Sequence, residues 1–481
     1  MNHRLMLRIL GVLLLALSVA FLLPLPWCFG RADGTLVDFL ASAAITAGVG
    51  MTLVLAFPAE GDIGTREGFA IVTFGWLAYA TFGSLPYILS GVVDGLIDAF
   101  FESMSGFTTT GATIFPQVST LPDSILVWRA LTQWLGGMGF IVLGLAILPL
   151  LRVGGMQLFQ AEVPGPIKDR LSPRIQDTAK ALWAVYFLMT LAVLLLLWAG
   201  EMDFHQAVCH ALTTAATGGF STEDTGVGAF GSYVHVVITV FMLLGGINFG
   251  FHYAVLFHAR FTDYLRSHEL RFYLLVILAA ITTMMLALSF SDQSGGFWLD
   301  LRDAAFETVA TITTTGYSSA NYELWPMLGQ QAVLALFLIG GCAGSTSGGV
   351  KVVRILVALK YARLQLIRLI HPRQVKLLKL DRAVVEPEVV SSVLGFLAVY
   401  VTLFVIGSLG LAACGLDLVT GATGALSALG NVGPAFGEIG PLDNYAGLPG
   451  IAKLLLAVLM LFGRLELFTV CVVFFPSFWR K

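Results

Sequence analysis

Long apolar runs dominate the chain and are separated by shorter polar stretches. A helix needs about 20 apolar residues to cross the hydrocarbon core of a bilayer, and ten runs approach or exceed this length. The pattern therefore predicts ten membrane-spanning helices. They cover residues 5–29, 35–57, 68–90, 124–151, 179–199, 232–257, 270–290, 329–350, 389–413 and 450–475.

The first run is also compatible with a cleaved signal peptide, because Arg4 and Arg8 precede it. It ends in the sequence LPLPW at residues 23–27, without the small residues of a cleavage site. This ending favours a retained first span that pairs with the second.

The distribution of basic residues predicts the orientation of the chain. With a cytoplasmic N-terminus and alternating spans, the inner segments hold 22 of the 27 lysines and arginines. The four long outer segments hold only Arg302, together with 16 acidic residues. Because basic residues accumulate on the cytoplasmic side, both termini are expected there. An acidic outer face would attract cations within a screening length of about 8 Å.

The four outer segments share a pattern, and each contains a semi-apolar stretch too short to cross the membrane. In the first and third, an aspartate lies 13 residues and a glutamate nine residues before the glycine of a Thr-Thr-Thr-Gly sequence. These residues are Asp98, Glu102 and Gly111, and Asp303, Glu307 and Gly316. Aligning the other two segments on Gly218 and Gly430 predicts a unit of outer helix, re-entrant pore helix, extended loop and inner helix that occurs four times.

The repeat predicts an all-α polytopic membrane protein with pseudo-fourfold symmetry and five parts. These are an N-terminal helix pair (1–60), pore unit one (61–170), pore unit two (171–265), pore unit three with a glycine-rich loop and a basic cytoplasmic segment (266–382), and pore unit four (383–481).

Extended backbone at membrane depth must line a water-filled cavity or be buried in protein. Four such loops around one axis would direct carbonyl oxygens at a common line, as in a potassium filter. The pore helices would point their negative C-terminal ends at the same place, so a cation is the favoured guest. The predicted filter residues are Thr110, Gly111, Thr217, Gly218, Thr315, Gly316, Leu429, Gly430 and Asn431.

Three further motifs accompany these loops: GGCAGSTSGG at 340–349, GNVGP at 430–434 and FGRLELFTV at 462–470. With them the whole chain resembles the pore-forming subunits of the Trk/Ktr/HKT superfamily of potassium transporters, most closely the TrkH type. The resemblance implies potassium uptake across a bacterial inner membrane, a homodimer, and a cytosolic TrkA-type ring with nucleotide-binding domains. In that superfamily, members that have serine in place of the first filter glycine transport sodium. The resemblance therefore implies that a chain with Gly111 at this position transports potassium.

The mode of transport has two interpretations, a gated pore and a symporter coupled to H⁺ or Na⁺. Coupled carriers usually show two inverted repeats with broken helices. Four repeats of one topology favour the pore.

A gate is predicted below the filter, where the third inner run has five glycines in the ten residues 340–349. Each glycine costs a helix up to about 1 kcal/mol relative to alanine, so a loop is expected. Arg464 lies at a comparable distance beyond its own filter, and an arginine near the midplane costs at least ~2.5 kcal/mol. It is therefore expected to bind loop carbonyls rather than Glu466, although a purely structural role also fits. The predicted gate consists of Gly341, Ala343, Gly344, Ser345, Thr346, Ser347, Gly348 and Arg464.

The roles of two groups of charged residues have two interpretations each. The acidic residues Asp98, Glu102, Asp303 and Glu307 are expected either to cap the pore helices or to attract ions. The segment 351–382 carries nine basic residues and one acidic residue. It is expected either to mark only the cytoplasmic side or to bind a regulator or anionic membrane lipid.

Composition excludes several other classes of protein. Charged residues make up 12% of the chain, about half of the ~25% typical of soluble domains. Neither the five scattered cysteines nor the histidines form a metal-ligand pattern, and a net charge of −3 gives no sign of nucleic-acid binding. Catalytic motifs are missing, and Arg464 is the one ionisable residue placed clearly within a span. We therefore expect no enzyme and no covalent cofactor, with K⁺ as the transported ion.

Overall fold

The computed structural model describes residues 1–29, 33–58, 64–146, 172–259, 262–292, 294–374, 377–381 and 383–480. The end of the predicted span 124–151, most of the basic segment 152–180 and the predicted boundaries at 60–61 and 170–171 lie outside these residues. The described part is almost entirely helical, as the sequence predicts. Its strands, Lys379–Leu380 and Ala383–Val384, form one short antiparallel hairpin.

Six helices in the described part are long and apolar enough to cross a membrane. They are the two N-terminal helices and the outer helix of each pore unit, and they confirm the predicted arrangement. Their bounds are His3–Cys28, Leu36–Ala56, Thr65–Leu89, Ala179–Trp198, His268–Ser289 and Pro387–Ala413. The first outer helix consists of Thr65–Gly83 and the short helix Leu85–Leu89, and the helix of the second unit begins at Ser172.

The N-terminal pair packs closely because two glycines face one another. A Cβ atom on Gly11 would lie 2.7 Å from the carbonyl oxygen of Gly50. Such small residues let two helix backbones approach within a membrane. The first helix also packs against the outer helix of pore unit one.

Four shorter helices lie between the outer and inner helices, and they are the predicted pore helices. They have 12 to 16 residues, too few to cross a bilayer at 1.5 Å per residue. Each packs against the inner helix of its own unit and that of the preceding unit, and the first packs against the fourth inner helix. This cyclic packing closes the four units into a ring. The pore helices are Leu96–Phe107, Phe204–Ala215, Phe297–Ile312 and Leu418–Gly430.

The inner helices correct the prediction of continuous spans. The first, Asp123–Ala146, is continuous as far as it is described. The second is broken between Ser232–Gly245 and Phe249–His258, with a bend of 99°. The third ends early as Met327–Phe337 and resumes as Val352–Ile370, and the fourth is divided into Gly450–Arg464 and Phe468–Val473. A break was expected only in the third.

The two unexpected breaks have local causes. In the second inner helix, Gly246 ends the first part and the side chain of Asn248 caps the next part by accepting from the N–H of Gly250. In the fourth, Glu466 and Leu467 have φ values of 58° and 39°, outside the helical range. Short helical turns complete the fold at Leu25–Cys28, Leu85–Leu89, Val118–Thr120, Gly226–Ala229, Thr262–Arg266, Tyr322–Leu324 and Pro476–Trp479.

Candidate ion pathway

The four pore helices end in the same backbone turn, a Schellman-type cap. Within two residues of the end of each helix, one residue has a left-handed conformation, with φ between 51° and 54°. The next residue donates its N–H to the carbonyl oxygen five residues earlier, over 2.9–3.0 Å. A glycine with φ between 69° and 104° follows. The equivalent residues are Thr109-Thr110-Gly111, Thr217-Gly218-Gly219, Thr314-Thr315-Gly316 and Asn431-Val432-Gly433.

This turn differs from the predicted alignment of the second segment, because the glycine equivalent to Gly111 is Gly219 and not Gly218. Gly219 has a φ of 84°, whereas Thr217 has the left-handed turn and Gly218 takes the position of Thr110. The segment contains two adjacent glycines, and only the second stands where the chain needs a positive φ. A β-branched residue is rare in the left-handed region, so Thr217 was not expected to adopt it.

The fourth segment also departs from the predicted alignment, because the glycine equivalent to Gly111 is Gly433, with a φ of 104°. The predicted residues Leu429 and Gly430 belong to the last turn of the pore helix. Asn431 has the left-handed conformation, which asparagine adopts more readily than most residues. It therefore borders the filter strand, as Thr109 does in the first unit.

The four glycines and four carbonyl oxygens form a closed ring. A Cβ atom added to any of these glycines would overlap the carbonyl oxygen that precedes the equivalent glycine of a neighbouring unit. Around the ring, the pairs are Gly111 with Gly218 O, Gly219 with Thr315 O, Gly316 with Val432 O, and Gly433 with Thr110 O. The last pair returns to the first unit, so the four strands surround one axis. A ring of carbonyl oxygens can replace the hydration shell of a cation.

An open cavity lies on one side of this ring, with about 680 Å³ of empty volume. Three of the ring glycines line it, together with the acidic residues Glu223, Asp224 and Asp443. Burial disfavours the charged form of Asp224, but hydrogen bonds from the hydroxyl and backbone N–H of Ser119 outweigh it and hold the pKa of this carboxyl below its usual range. The entrance to the ring therefore carries negative charge at neutral pH.

The predicted glycine loop, residues 340–349, lies on the other side of the ring. It forms backbone hydrogen bonds with the broken second inner helix. These run from Cys342 N to Gly246 O (2.9 Å), from Thr346 N to Gly245 O (3.4 Å) and from Phe249 N to Gly344 O (3.0 Å). The loop therefore satisfies backbone groups that the break in the second inner helix leaves without helical partners.

The glycine loop also contacts the ends of the pore helices. The hydroxyl of Thr217 donates to Thr346 Oγ1 over 3.1 Å, and the N–H of Gly348 donates to Thr314 Oγ1 over 2.6 Å. A Cβ atom on Gly348 would lie 2.5 Å from the carbonyl oxygen of Gly430. The loop thus lies directly against three of the four filter turns.

Arg464 connects the glycine loop to the first inner helix. Its Nη1 donates to the carbonyl oxygen of Thr346 (2.8 Å) and its Nη2 to that of Gly136 (3.0 Å). The side chain is only 1% exposed. The expected contact with a loop carbonyl is confirmed. Glu466 pairs instead with Arg354 over 2.5 Å.

Charged residues hold the far side of the loop as well. Glu269 accepts a hydrogen bond from the N–H of Ala343 over 2.7 Å. The ammonium group of Lys351 donates to the carbonyl oxygen of Ser347. The predicted gate residues between 341 and 348 therefore belong to one segment. This segment is hydrogen-bonded to the second inner helix and Arg464, and also to Glu269 and Lys351.

Comparison with known proteins identifies the family. The model of the TrkH family, described as a cation transport protein, matches residues 37–481. The chain belongs to the TrkH family. It is 41% identical to the Trk system potassium uptake protein TrkH of Halomonas elongata and 39% identical to that of Escherichia coli K12, over 100% of both chains in each case.

The solved structures include a TrkH relative with the same fold. The crystal structure of the potassium transporter TrkH from Vibrio parahaemolyticus superimposes with a TM-score of 0.92 at 34% identity, over 100% of both chains. These relatives are named for transport and not for catalysis, so the chain is a multi-pass membrane transporter of the TrkH family and not an enzyme.

In this TrkH family member, Glu102 binds the extended strand that follows the first pore helix. The carboxylate is fully buried and accepts hydrogen bonds from Ile114 N (2.9 Å), Thr113 Oγ1 (3.1 Å) and Arg129 Nε (2.8 Å). Glu102 lies in the middle of its helix, so the expected capping role is wrong. The N-cap of this helix is Gly95.

Glu307 has the same position and role in the third unit. It accepts from the N–H and hydroxyl of Ser319 (2.8 and 2.9 Å) and from the N–H of Ala320 (3.2 Å). It too lies inside its helix, whose N-cap is Gly296. Because both buried carboxylates accept backbone hydrogen bonds, they position the segments that follow the first and third pore helices. Attraction of ions would be an additional role.

The aspartates of the first and third units, Asp98 and Asp303, form ion pairs and do not cap their helices either. Asp98 accepts from Lys453 Nζ over 2.7 Å, and Asp303 pairs with the neighbouring Arg302. Lys453 belongs to the fourth inner helix and is 3% exposed, so its pair with Asp98 joins the first and fourth units.

Sequence reasoning missed two buried cations within the predicted spans, Lys453 and Arg129. Arg129 is 2% exposed. Besides Glu102, it binds Ser221 O (3.2 Å) and Thr113 Oγ1 (3.1 Å) and stacks on the ring of Phe220. It therefore ties the first filter strand to the second. The signal was present, since a basic residue in an apolar span needs a partner, but both residues lie near the predicted ends of their spans.

Replacing Glu307 with alanine should lower the unfolding temperature of the detergent-solubilised protein, and Glu307→Gln should lower it much less. Alanine leaves the buried N–H groups of Ser319 and Ala320 without an acceptor, at about 1–3 kcal/mol each, whereas the glutamine amide oxygen can still accept. Thermal unfolding curves measure the difference. Equal losses in both variants would show that the negative charge matters more than the acceptor geometry.

Proposed function

We propose that this TrkH family member is a potassium-selective pore that carries K⁺ uptake across a bacterial inner membrane, with both termini in the cytoplasm. The closed ring of four carbonyl oxygens supports this proposal most directly, since it offers a dehydrated cation a symmetric set of oxygen ligands. The curated relatives are named as potassium uptake proteins.

Selectivity for K⁺ over Na⁺ would come from the ring glycines. All four ring positions lack a side chain, so the oxygens facing the axis are backbone carbonyls. The fourfold pattern includes three residues that were not in the predicted filter, Gly219 in the second strand and Val432 and Gly433 in the fourth.

Gating would come from the glycine loop and Arg464. The loop lies across one side of the ring, where it would obstruct the path, and the buried guanidinium beside it would repel cations. The alternative is a purely structural role for Arg464 in the helix bundle, through its bond to Gly136 O, and the potassium flux of Arg464→Ala distinguishes the two roles.

Ion flux into liposomes tests the pore against a coupled symporter. With an imposed K⁺ gradient and no gradient of H⁺ or Na⁺, the reconstituted protein should take up ⁸⁶Rb⁺ until the potential balances. Protein-free liposomes are the control. Uptake that strictly requires a gradient of H⁺ or Na⁺ would reject the pore and support the symporter.

We also propose a cytosolic partner, a TrkA-type ring with nucleotide-binding domains, and assembly of the membrane subunit as a homodimer. The relatives are named as parts of a Trk system. The basic helix Val352–Ile370 follows directly after the glycine loop. Arg363, Arg368 and Arg373 are exposed on this helix and the segment after it, so a partner bound there would be close to the gate in the sequence.

Charge reversal at these three arginines should weaken co-purification of the ring. Replacing Arg363, Arg368 and Arg373 with glutamate removes three positive charges and adds three negative ones, so an acidic partner surface would be repelled. Pull-down of the ring with tagged membrane protein, at two salt concentrations, measures the loss. Undiminished binding would leave membrane topology and anionic lipid as the roles of this segment.

A further inference from the structure

The turns at the ends of the pore helices carry four polar side chains. Thr109, Thr217, Thr314 and Asn431 occupy equivalent backbone positions, two residues before the ring glycines. All four are buried, with at most 1% exposure. Hydroxyl and amide oxygens are suitable ligands for a dehydrated alkali cation.

Two of these oxygens lack a hydrogen-bond partner in the described part of the chain, Thr109 Oγ1 and Asn431 Oδ1. The amide of Asn431 donates its Nδ2 to Met460 O (2.9 Å) and to Thr110 Oγ1 (3.1 Å). A carbonyl oxygen can only accept, so this contact identifies the nitrogen and leaves Oδ1 as the free acceptor. Buried polar atoms without partners are uncommon in folded proteins and need an explanation.

The glycine loop is hydrogen-bonded to the other two hydroxyl groups, as acceptor from Thr217 and as donor to Thr314. The N–H of Gly348 donates to Thr314 Oγ1 over 2.6 Å, and Thr217 Oγ1 contacts Thr346 Oγ1 over 3.1 Å. The Gly348 N–H thus directs its positive end toward the level where a cation would bind.

Ordinary helix geometry does not explain this arrangement. A buried threonine near a helix end commonly returns its hydroxyl to the carbonyl four residues earlier. Thr108 and Thr313 do so, with bonds of 2.6 Å to Met104 O and Val309 O. In contrast, Thr109 makes no such bond among the described residues, and Thr314 accepts a hydrogen bond from the loop.

From this pattern we infer that the glycine loop and a permeant alkali cation compete for the same four side-chain oxygens. The loop holds two of them when it lies against the ring, and the cation takes all four when the loop moves away. The inference rests on the proposed pore function and adds a regulator to it. By linkage, a ligand that binds only one of two states shifts the equilibrium toward that state, so K⁺ itself favours the open pore.

Three variants separate this competition from a passive role of the side chains. Thr346→Val removes the loop hydroxyl that contacts Thr217 and should release the loop. Thr109→Val removes an unpartnered oxygen that the loop does not contact. Thr109→Ser retains that oxygen and is the matched control.

The first measurement is the rise in unfolding temperature of the full chain in detergent as KCl replaces choline chloride at constant ionic strength. Compared with the parent, Thr346→Val should reach half of its maximal rise at a lower K⁺ concentration, because the loop no longer competes. Thr109→Val should need roughly threefold to tenfold more K⁺, the effect of losing one modest polar contact, and Thr109→Ser should stay close to the parent. ⁸⁶Rb⁺ flux of each variant into liposomes is measured in parallel.

The two readouts distinguish failure of the inference from failure of the proposed function. If Thr346→Val raises the flux but leaves the K⁺ dependence of unfolding at the parent value, the loop opens without competing with the ion and the inference is wrong. If Thr109→Val and Thr109→Ser shift the K⁺ dependence equally, the oxygen is not a ligand and the inference is also wrong. If the parent neither binds K⁺ nor conducts Rb⁺, the proposed pore itself fails.

Should Thr346→Val not fold, Gly348→Ala serves the same purpose. Its Cβ atom would lie 2.5 Å from the carbonyl oxygen of Gly430 and should push the loop away from the ring. The same lower K⁺ requirement is then expected, and an unchanged requirement together with a raised flux would contradict the inference.

Discussion

Arg464→Ala should raise potassium flux through the reconstituted protein by at least about tenfold, because it removes two charge-assisted hydrogen bonds, each worth about 1.5–3 kcal/mol. One of them holds the carbonyl oxygen of Thr346 in the glycine loop, over 2.8 Å. A closed state that loses this contact is populated less, and the positive charge beside the path disappears with it. Deleting several residues of 341–348 should raise the flux further, because the obstruction itself is removed.

The measurement is ⁸⁶Rb⁺ uptake by liposomes that contain equal amounts of folded protein, verified by size-exclusion profile. Arg302→Ala is the matched control, since it removes an arginine on a partly exposed surface that pairs with its neighbour Asp303. Its flux should match that of the parent. If Arg464→Ala and the deletion both fold normally yet conduct no more than the parent, the gate lies elsewhere.

Gly433→Ala should abolish the discrimination between K⁺ and Na⁺ or stop conduction, whereas Gly430→Ala should preserve both. A Cβ atom on Gly433 would lie 2.5 Å from the carbonyl oxygen of Thr110, and the φ of 104° adds strain for any L residue. At Gly430 the nearest atoms to an added Cβ are Val432 Cγ2 at 3.1 Å and Phe337 O at 3.3 Å, so only small shifts are needed.

Permeability ratios from reversal potentials in planar bilayers measure this effect. The pair also tests the register, because the two glycines lie three residues apart in the same motif. Loss of selectivity in Gly430→Ala with normal selectivity in Gly433→Ala would reject the ring described above and restore the alignment predicted from the sequence.

The outer architecture was predictable from the sequence, because hydrophobic length alone determines it. The N-terminal pair and the four outer helices appear where the apolar runs predict them. The contact of Arg464 with a loop carbonyl was also predictable, since a cation buried in an apolar span must find an acceptor.

The filter register was not predictable from the glycine pattern. Thr217 and Asn431 adopt left-handed conformations that threonine in particular rarely shows. Gly218 and Gly430, the glycines on which the second and fourth segments were aligned, therefore looked equivalent to Gly111 although they are not. Only the tertiary packing of one carbonyl against the next glycine around the ring distinguishes Gly219 from Gly218 and Gly433 from Gly430.

The break in the second inner helix was missed for a different reason. Its composition, from Ser232 to His258, is that of an ordinary apolar span. The hydrogen bonds that compensate for the break come from a loop about 100 residues later in the chain, and local sequence carries no information on partners so distant.

Those same hydrogen bonds imply that the loop and the second inner helix exchange partners. In an uninterrupted helix, Gly245 O would accept from the N–H of Phe249, four residues on. Here Gly245 O accepts from Thr346 N, and Phe249 N donates to Gly344 O. When the loop moves away, both Gly245 O and the N–H of Phe249 lose their partners. One is an acceptor and the other a donor, so they can form a hydrogen bond with each other. Withdrawal of the loop and straightening of the 99° bend are therefore expected as one concerted rearrangement, in which Gly245 O and Phe249 N each exchange a partner in the loop for one another.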